Sequence, residues 1–143
     1  FAVSEGAAVL LLEEREHAAR RGARVHAELA GYASACAAPE EGALGTTMAL
    51  AAAESGSAPA RVCCASVFHS PHWGAEREAV AAVVREPEGV FQFRSSLGHA
   101  LGASGAIDAA LALGRVPEDA SLLVNALGFL GQAATLAFSR RAA

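Results

Sequence analysis

Apolar and polar positions come in alternating blocks along this chain, and the period within each block changes. Residues 7–12, AAVLLL, form a continuous apolar run of strand length. EEREHAARR at 13–21 is a charged helical segment with Gly22 placed to end it. Residues 24–34, RVHAELAGYAS, alternate in part and predict a second strand. A loop follows at 36–45, with Pro39 and two glycines, and then a helix over 45–55 stopped by Gly56. RVCCASVF at 61–68 reads as a strand buried on both faces. Helical spacing returns over 74–85, with Ala79, Val80, Val83 and Val84 on the apolar side. A fourth strand is predicted at 90–94, an alanine-rich helix at 101–113, and two strands flanking a turn at 128–131.

Strand and helix thus alternate, with a hairpin at the end. The order βαβαβαβαββ predicts an α/β domain over residues 1–143, a mixed sheet with helices on both faces. Its alanine- and glycine-rich helices suit close packing between layers. Hydrophobic residues make up 53% of the chain, enough to bury a core. A net charge of −4 with no basic stripe speaks against nucleic acid as a partner. No apolar run reaches the ~18 residues of a membrane span. The chain opens on Phe1 without a signal-peptide pattern and reads as part of a longer, cytoplasmic protein.

The candidate chemistry is sparse. Cys36, Cys63 and Cys64 lack metal-site spacing; adjacent Cys63 and Cys64 on a strand point to opposite faces, and buried free thiols are expected. His69 and His72 are three apart, but Pro71 lies between them and no third ligand is near, so a surface loop is expected rather than a metal. There is no Walker loop, no dinucleotide fingerprint and no nucleophile elbow, and no cofactor is expected. His99, in FRSSLGHALGASGA at 93–106, sits where a strand and turn pass into a helix, the place where α/β sheets gather their sites. A helix N-terminus holds imidazole neutral, so that Nε2–H can donate to an oxygen gaining negative charge. Gly98, Gly102 and Gly105 clear space around it. NALGFLGQAA, 125–134, is open to two readings: a hairpin with glycines at positive φ, or a phenylalanine gate over a pocket.

Three of these segments, in this order, resemble the C-terminal part of the β-ketoacyl-[acyl-carrier-protein] synthases, condensing enzymes of thiolase-like fold. FAVSEGAAVLLLEE resembles their Gly-Phe-Val-x-Gly-Glu-Gly-Ala segment. RSSLGHALGASGA resembles Lys-Ser-x-x-Gly-His-x-x-Gly-Ala-x-Gly. NALGFLGQAATLAF resembles Asn-Ser-Phe-Gly-Phe-Gly-Gly-x-Asn. The likeness covers essentially the whole chain.

The resemblance implies a decarboxylative condensation. A cysteine carries an acyl thioester, malonyl-carrier protein loses CO₂, two histidines steady the enolate oxygen and a lysine orders the site. His99 matches the second histidine, and Arg94 stands at the lysine position. When His-Gly-Thr-x-Thr-Pro is anchored on Pro71, Ser66 falls on the first histidine, with Val67 and Phe68 on Gly-Thr. The nucleophilic cysteine belongs to a preceding half, and none of the three cysteines here matches its motif. Gly128, Phe129 and Gly131 fall on the gate, and Phe129 and Phe68 are the candidate tunnel residues.

Serine cannot span the reach of an imidazole, and arginine's planar fork is not a lysine. Those departures make this chain most similar to the chain-length factor of type II polyketide systems. The expected partners are an active ketosynthase subunit in a dimer, an acyl carrier protein and acyl or malonyl thioesters. The alternative is a catalytic synthase in which His69 stands in for the lost histidine.

Overall fold

The computed structural model describes residues 2–36, 42–70, 73–85, 89–128 and 130–140. In chain order the elements are α1 (Arg15–Arg20), β1 (Glu28–Cys36), α2 (Ala43–Ser55), β2 (Pro59–Cys63), α3 (Trp73–Val83), β3 (Val90–Phe91), α4 (Arg94–Leu97), α5 (Ser104–Ala112), β4 (Ser121–Leu127) and β5 (Gln132–Ser139). Single 3₁₀ turns, Leu101–Ala103 and Leu113–Arg115, flank α5.

The strands form one five-stranded sheet in the order β1-β5-β4-β2-β3. β2 pairs in parallel with both β4 and β3, whereas β5 pairs antiparallel with β4 and β1. The sheet is therefore mixed, as the alternating pattern predicts. Its two faces are covered by different helices. Leu44, Met48 and Ala51 of α2 and Val80 of α3 pack on Val62, Leu123, Ala133 and Ala137. Ala109 and Ala112 of α5 pack on Cys63, Leu122, Val124 and Phe138 of the other face. Leu122 and Leu123 are both fully buried, which is why β4 shows no polar alternation. Burying each contributes about 2 kcal/mol.

Close approach of α2 to β1 depends on Gly31, because a Cβ there would lie 2.2 Å from the Ala51 carbonyl oxygen. The sheet's outer edge at β1 is partly closed: the Tyr32 N–H donates to Glu54 Oε2 of α2 at 2.7 Å. A carboxylate thus occupies a donor that would otherwise invite another strand.

Several expectations change. Residues 7–12 form no strand, so the sheet lacks the first member of the expected order. Leu10 touches the α5-side core, but Val9, Leu11 and Leu12 are 92%, 81% and 67% exposed. An apolar run becomes a strand only when a neighbour takes its backbone groups, and none of the described strands lies beside it. β2 ends at Cys63 rather than at residue 68: the Cys64 N–H still donates to the Phe91 carbonyl, but a side chain takes the Ala65 and Ser66 donors, as described below. β3 has two residues, and Arg94 opens a helical turn instead of ending a strand. Cys63 and Cys64 do pack on opposite faces and are buried free thiols, but Cys36 is exposed. Phe129 and His72 lie outside the described residues. Among the described residues no group of His, Cys, Asp and Glu could hold a metal ion, and no helix is long and apolar enough to cross a membrane.

Candidate functional site

His99 sits on the bend between α4 and α5, and the N-terminal segment pins that bend. The His99 N–H donates to the Ala2 carbonyl at 2.8 Å, and the Ser4 N–H donates to the His99 carbonyl at 3.1 Å. Gly98 makes this approach possible. Its φ is +76°, and a Cβ would meet Ser4 Cβ at 2.9 Å and the Ala2 oxygen at 3.0 Å. Two of the three motif segments therefore meet at the histidine.

The ring is oriented through Nδ1, which accepts the Leu101 N–H at 3.0 Å. An amide always donates, so a neutral imidazole here carries its proton on Nε2. Burial lowers the pKa of His99 below the ordinary imidazole value, and the Arg94 guanidinium adds to the effect. The elements behind the ring are a 3₁₀ turn and a bend rather than the first turn of a long helix.

Arg94 is buried and its Nε donates to Asp108 Oδ2 at 3.1 Å, an ion pair between α4 and α5. Burial pushes the Asp108 carboxyl upward, against the opposing pull of Arg94. Breaking such a pair leaves an uncompensated charge in the interior, a cost of ~3–5 kcal/mol. Asp108 was not singled out in the sequence, yet it is the one charged residue in SGAIDAALA, a signal that it has a buried partner.

Two hollows meet at Arg94. One, of about 340 Å³, runs between the N-terminal segment and α5 and is lined by Ser4, Gly6, Gly98, Ser104 and Asp108 as well as Arg94. The other, of about 520 Å³, is lined by Cys36, Arg94, His99, Ser104, Gly128 and Gln132. The structure therefore brings together His99, Arg94 and Gly128 of the expected set. Gly131, at φ +79°, shapes the β4–β5 turn, as the hairpin reading of that segment requires.

Ser66 and Phe68 line neither hollow. Ser66 is buried just beyond β2, and its Oγ has no hydrogen-bond partner among the described residues. Its backbone is held firmly. Glu76 of α3, 1% exposed, accepts the Ala65 N–H at 2.8 Å, the Ser66 N–H at 2.6 Å and Asn125 Nδ2 at 3.0 Å. Asn125 Oδ1 in turn accepts from Thr135 Oγ1, which bonds Thr47 Oγ1, both at 3.0 Å. Glu76 escaped notice in the sequence although it falls on the apolar stripe of its helix with Ala79, Val80 and Val83. Phe68 packs against Trp73 in a tilted arrangement, with ring centroids 4.5 Å apart, on the α2–α3 side of the core. His69 lies exposed in the following turn at φ +65°.

No family model matches the chain. Curated relatives do. The mitochondrial 3-oxoacyl-[acyl-carrier-protein] synthase of Arabidopsis thaliana is 37% identical over 124 residues, 76% of this chain and 27% of the relative. The actinorhodin polyketide putative beta-ketoacyl synthase 1 of Streptomyces coelicolor is 33% identical over 140 residues, 85% of this chain and 30% of the relative. Among solved structures, the ishigamide ketosynthase/chain length factor superposes with a TM-score of 0.75 at 21% identity, covering 87% of this chain and 40% of its counterpart. The chain spans about a third of the length of the curated relatives it matches. By sequence, the chain is homologous to part of the 3-oxoacyl-[acyl-carrier-protein] synthases and polyketide ketosynthases, and its mixed sheet with helices matches their thiolase-like fold.

Proposed function

We propose that this chain forms part of a chain-length-factor-like subunit, a ketosynthase relative that does not condense by itself. It pairs with an active β-ketoacyl synthase that elongates acyl chains delivered by an acyl carrier protein. The observation that carries the reading is the pairing of an intact His99 with altered surroundings. His99 keeps an Nε2–H able to donate to an enolate oxygen. The residue at the lysine position is an arginine committed to Asp108. The residue matched to the first histidine is Ser66, whose short hydroxyl is outside the hollow that His99 lines. Losing one of two oxyanion donors costs about 10²–10³ in turnover.

Condensation of acyl and malonyl thioesters, assayed with the full natural chain alone and with a co-expressed active ketosynthase, tests the proposal. Product is expected only in the pair. Turnover by the chain alone at a rate equal to that of the pair overturns it.

A second reading, a catalytic synthase, is favoured by the similarity to a putative beta-ketoacyl synthase 1 and by the position of His69 in the turn after β2. It requires His69→Ala to abolish malonyl decarboxylation in the full chain while its fold stays intact.

A further inference from the structure

We propose that Ser104 is a positioning residue for His99, a second donor that holds the imidazole with its proton on Nε2. The inference rests on reading His99 as the retained proton donor. Ser104 opens α5, is 5% exposed, and places Oγ 3.4 Å from His99 Nδ1. That hydroxyl has no other hydrogen-bond partner among the described residues. The direction of the bond follows from its neighbour. The Leu101 N–H already points at Nδ1 from 3.0 Å, so Nδ1 bears no proton and Ser104 must be the donor.

The two donors come from independent pieces of backbone. Leu101 delivers its amide from a left-handed conformation, φ +50°, that a leucine adopts only at a cost. Ser104 delivers its hydroxyl from the start of a helix whose far side is packed in the core. Together they fix the ring from one side and leave Nε2 as its only donor. Ser104 lines both hollows, so the contact lies where a bound thioester would meet the histidine. The charged groups around this pair are Arg94 from α4, its partner Asp108 on α5, and Glu5 of the N-terminal segment at the rim of the smaller hollow.

Nitrogen-15 NMR of histidine-labelled full natural chain, titrated without substrate, tests the assignment. The wild-type spectrum is expected to show His99 protonated on Nε2. Ser104→Ala should raise the His99 pKa by about half a pH unit, the scale of one modest hydrogen bond to the neutral ring. It should also admit the other tautomer, and Ser104→Thr, which keeps the hydroxyl, should restore the wild-type titration. A Ser104→Ala protein with unchanged pKa and tautomer overturns the proposal. If that variant does not fold, the wild-type spectrum still decides, because a proton found on Nδ1 overturns it. No substrate enters the measurement, so condensation by the chain alone would refute the proposed function and leave this result untouched.

Discussion

Replacing Glu76 is the sharpest test of how the segment bearing Ser66 is held. The Glu76 carboxylate accepts three buried donors, the Ala65 and Ser66 amides and Asn125 Nδ2. Glu76→Ala removes both acceptor oxygens, and with them all three hydrogen bonds. A buried donor left without a partner costs about 1–3 kcal/mol, so the loss should be about 3–6 kcal/mol after partial entry of water. Glu76→Gln is more informative. Its amide oxygen, placed at Oε1, keeps the bonds to Ala65 and Asn125, while its NH₂ group faces the Ser66 N–H and loses that bond. About half the Ala penalty is expected. Urea unfolding of the full natural chain gives the energies, and amide exchange at Ala65 and Ser66 locates the loss, with protection falling about tenfold per 1.4 kcal/mol. If Glu76→Ala stays within ~1 kcal/mol of wild type, or Glu76→Gln is worse than Glu76→Ala, the described network does not hold that segment.

Three further outcomes follow from particular contacts. Gly98→Ala should destabilise by about 1–3 kcal/mol and expose the His99 amide to exchange, because the new methyl group would press on Ser4 and Ala2 in a left-handed conformation. The lowered His99 pKa means that the unfolded chain binds more protons as pH falls below about 6.5. Its contribution to stability is therefore full above that value and lost as pH drops toward the folded-state pKa. His99→Gln should flatten the dependence of melting temperature on pH in that window. Alkylation followed by peptide mapping should find Cys36 modified in the native protein. Cys63 and Cys64, whose thiols burial pushes far up, should react only after unfolding.

The sheet was legible where local pattern and tertiary partner agree. The β4–β5 hairpin follows from two apolar runs around a glycine-bearing turn, and most of α2 from the helical segment at 45–55 stopped by Gly56, although the helix begins earlier, at Ala43, within the expected loop. Residues 7–12 have the same apolar character as β4 but no adjacent strand, and a pattern read along one chain does not say whether a neighbour exists. The site divides in the same way. His99 stands out by its place between a turn and a helix, Arg94 and Gly128 follow from the resemblance to the family's motifs, and the three share a hollow. Glu76, Asn125, Thr135 and Asp108 act through partners 10 to 88 residues away, as in Glu76 with Ser66, Arg94 with Asp108 and Thr135 with Thr47. Pairing at that distance is set by the crossing of helices over the sheet, which local periodicity does not contain.

The most direct test of the central claim is the rate at which the full natural chain, without any partner subunit, decarboxylates malonyl-carrier protein. With Arg94 paired to Asp108 and one of the two oxyanion donors replaced, the rate should lie at least about 10²–10³ below that of an active ketosynthase. Fast decarboxylation that His99→Ala abolishes would contradict the account.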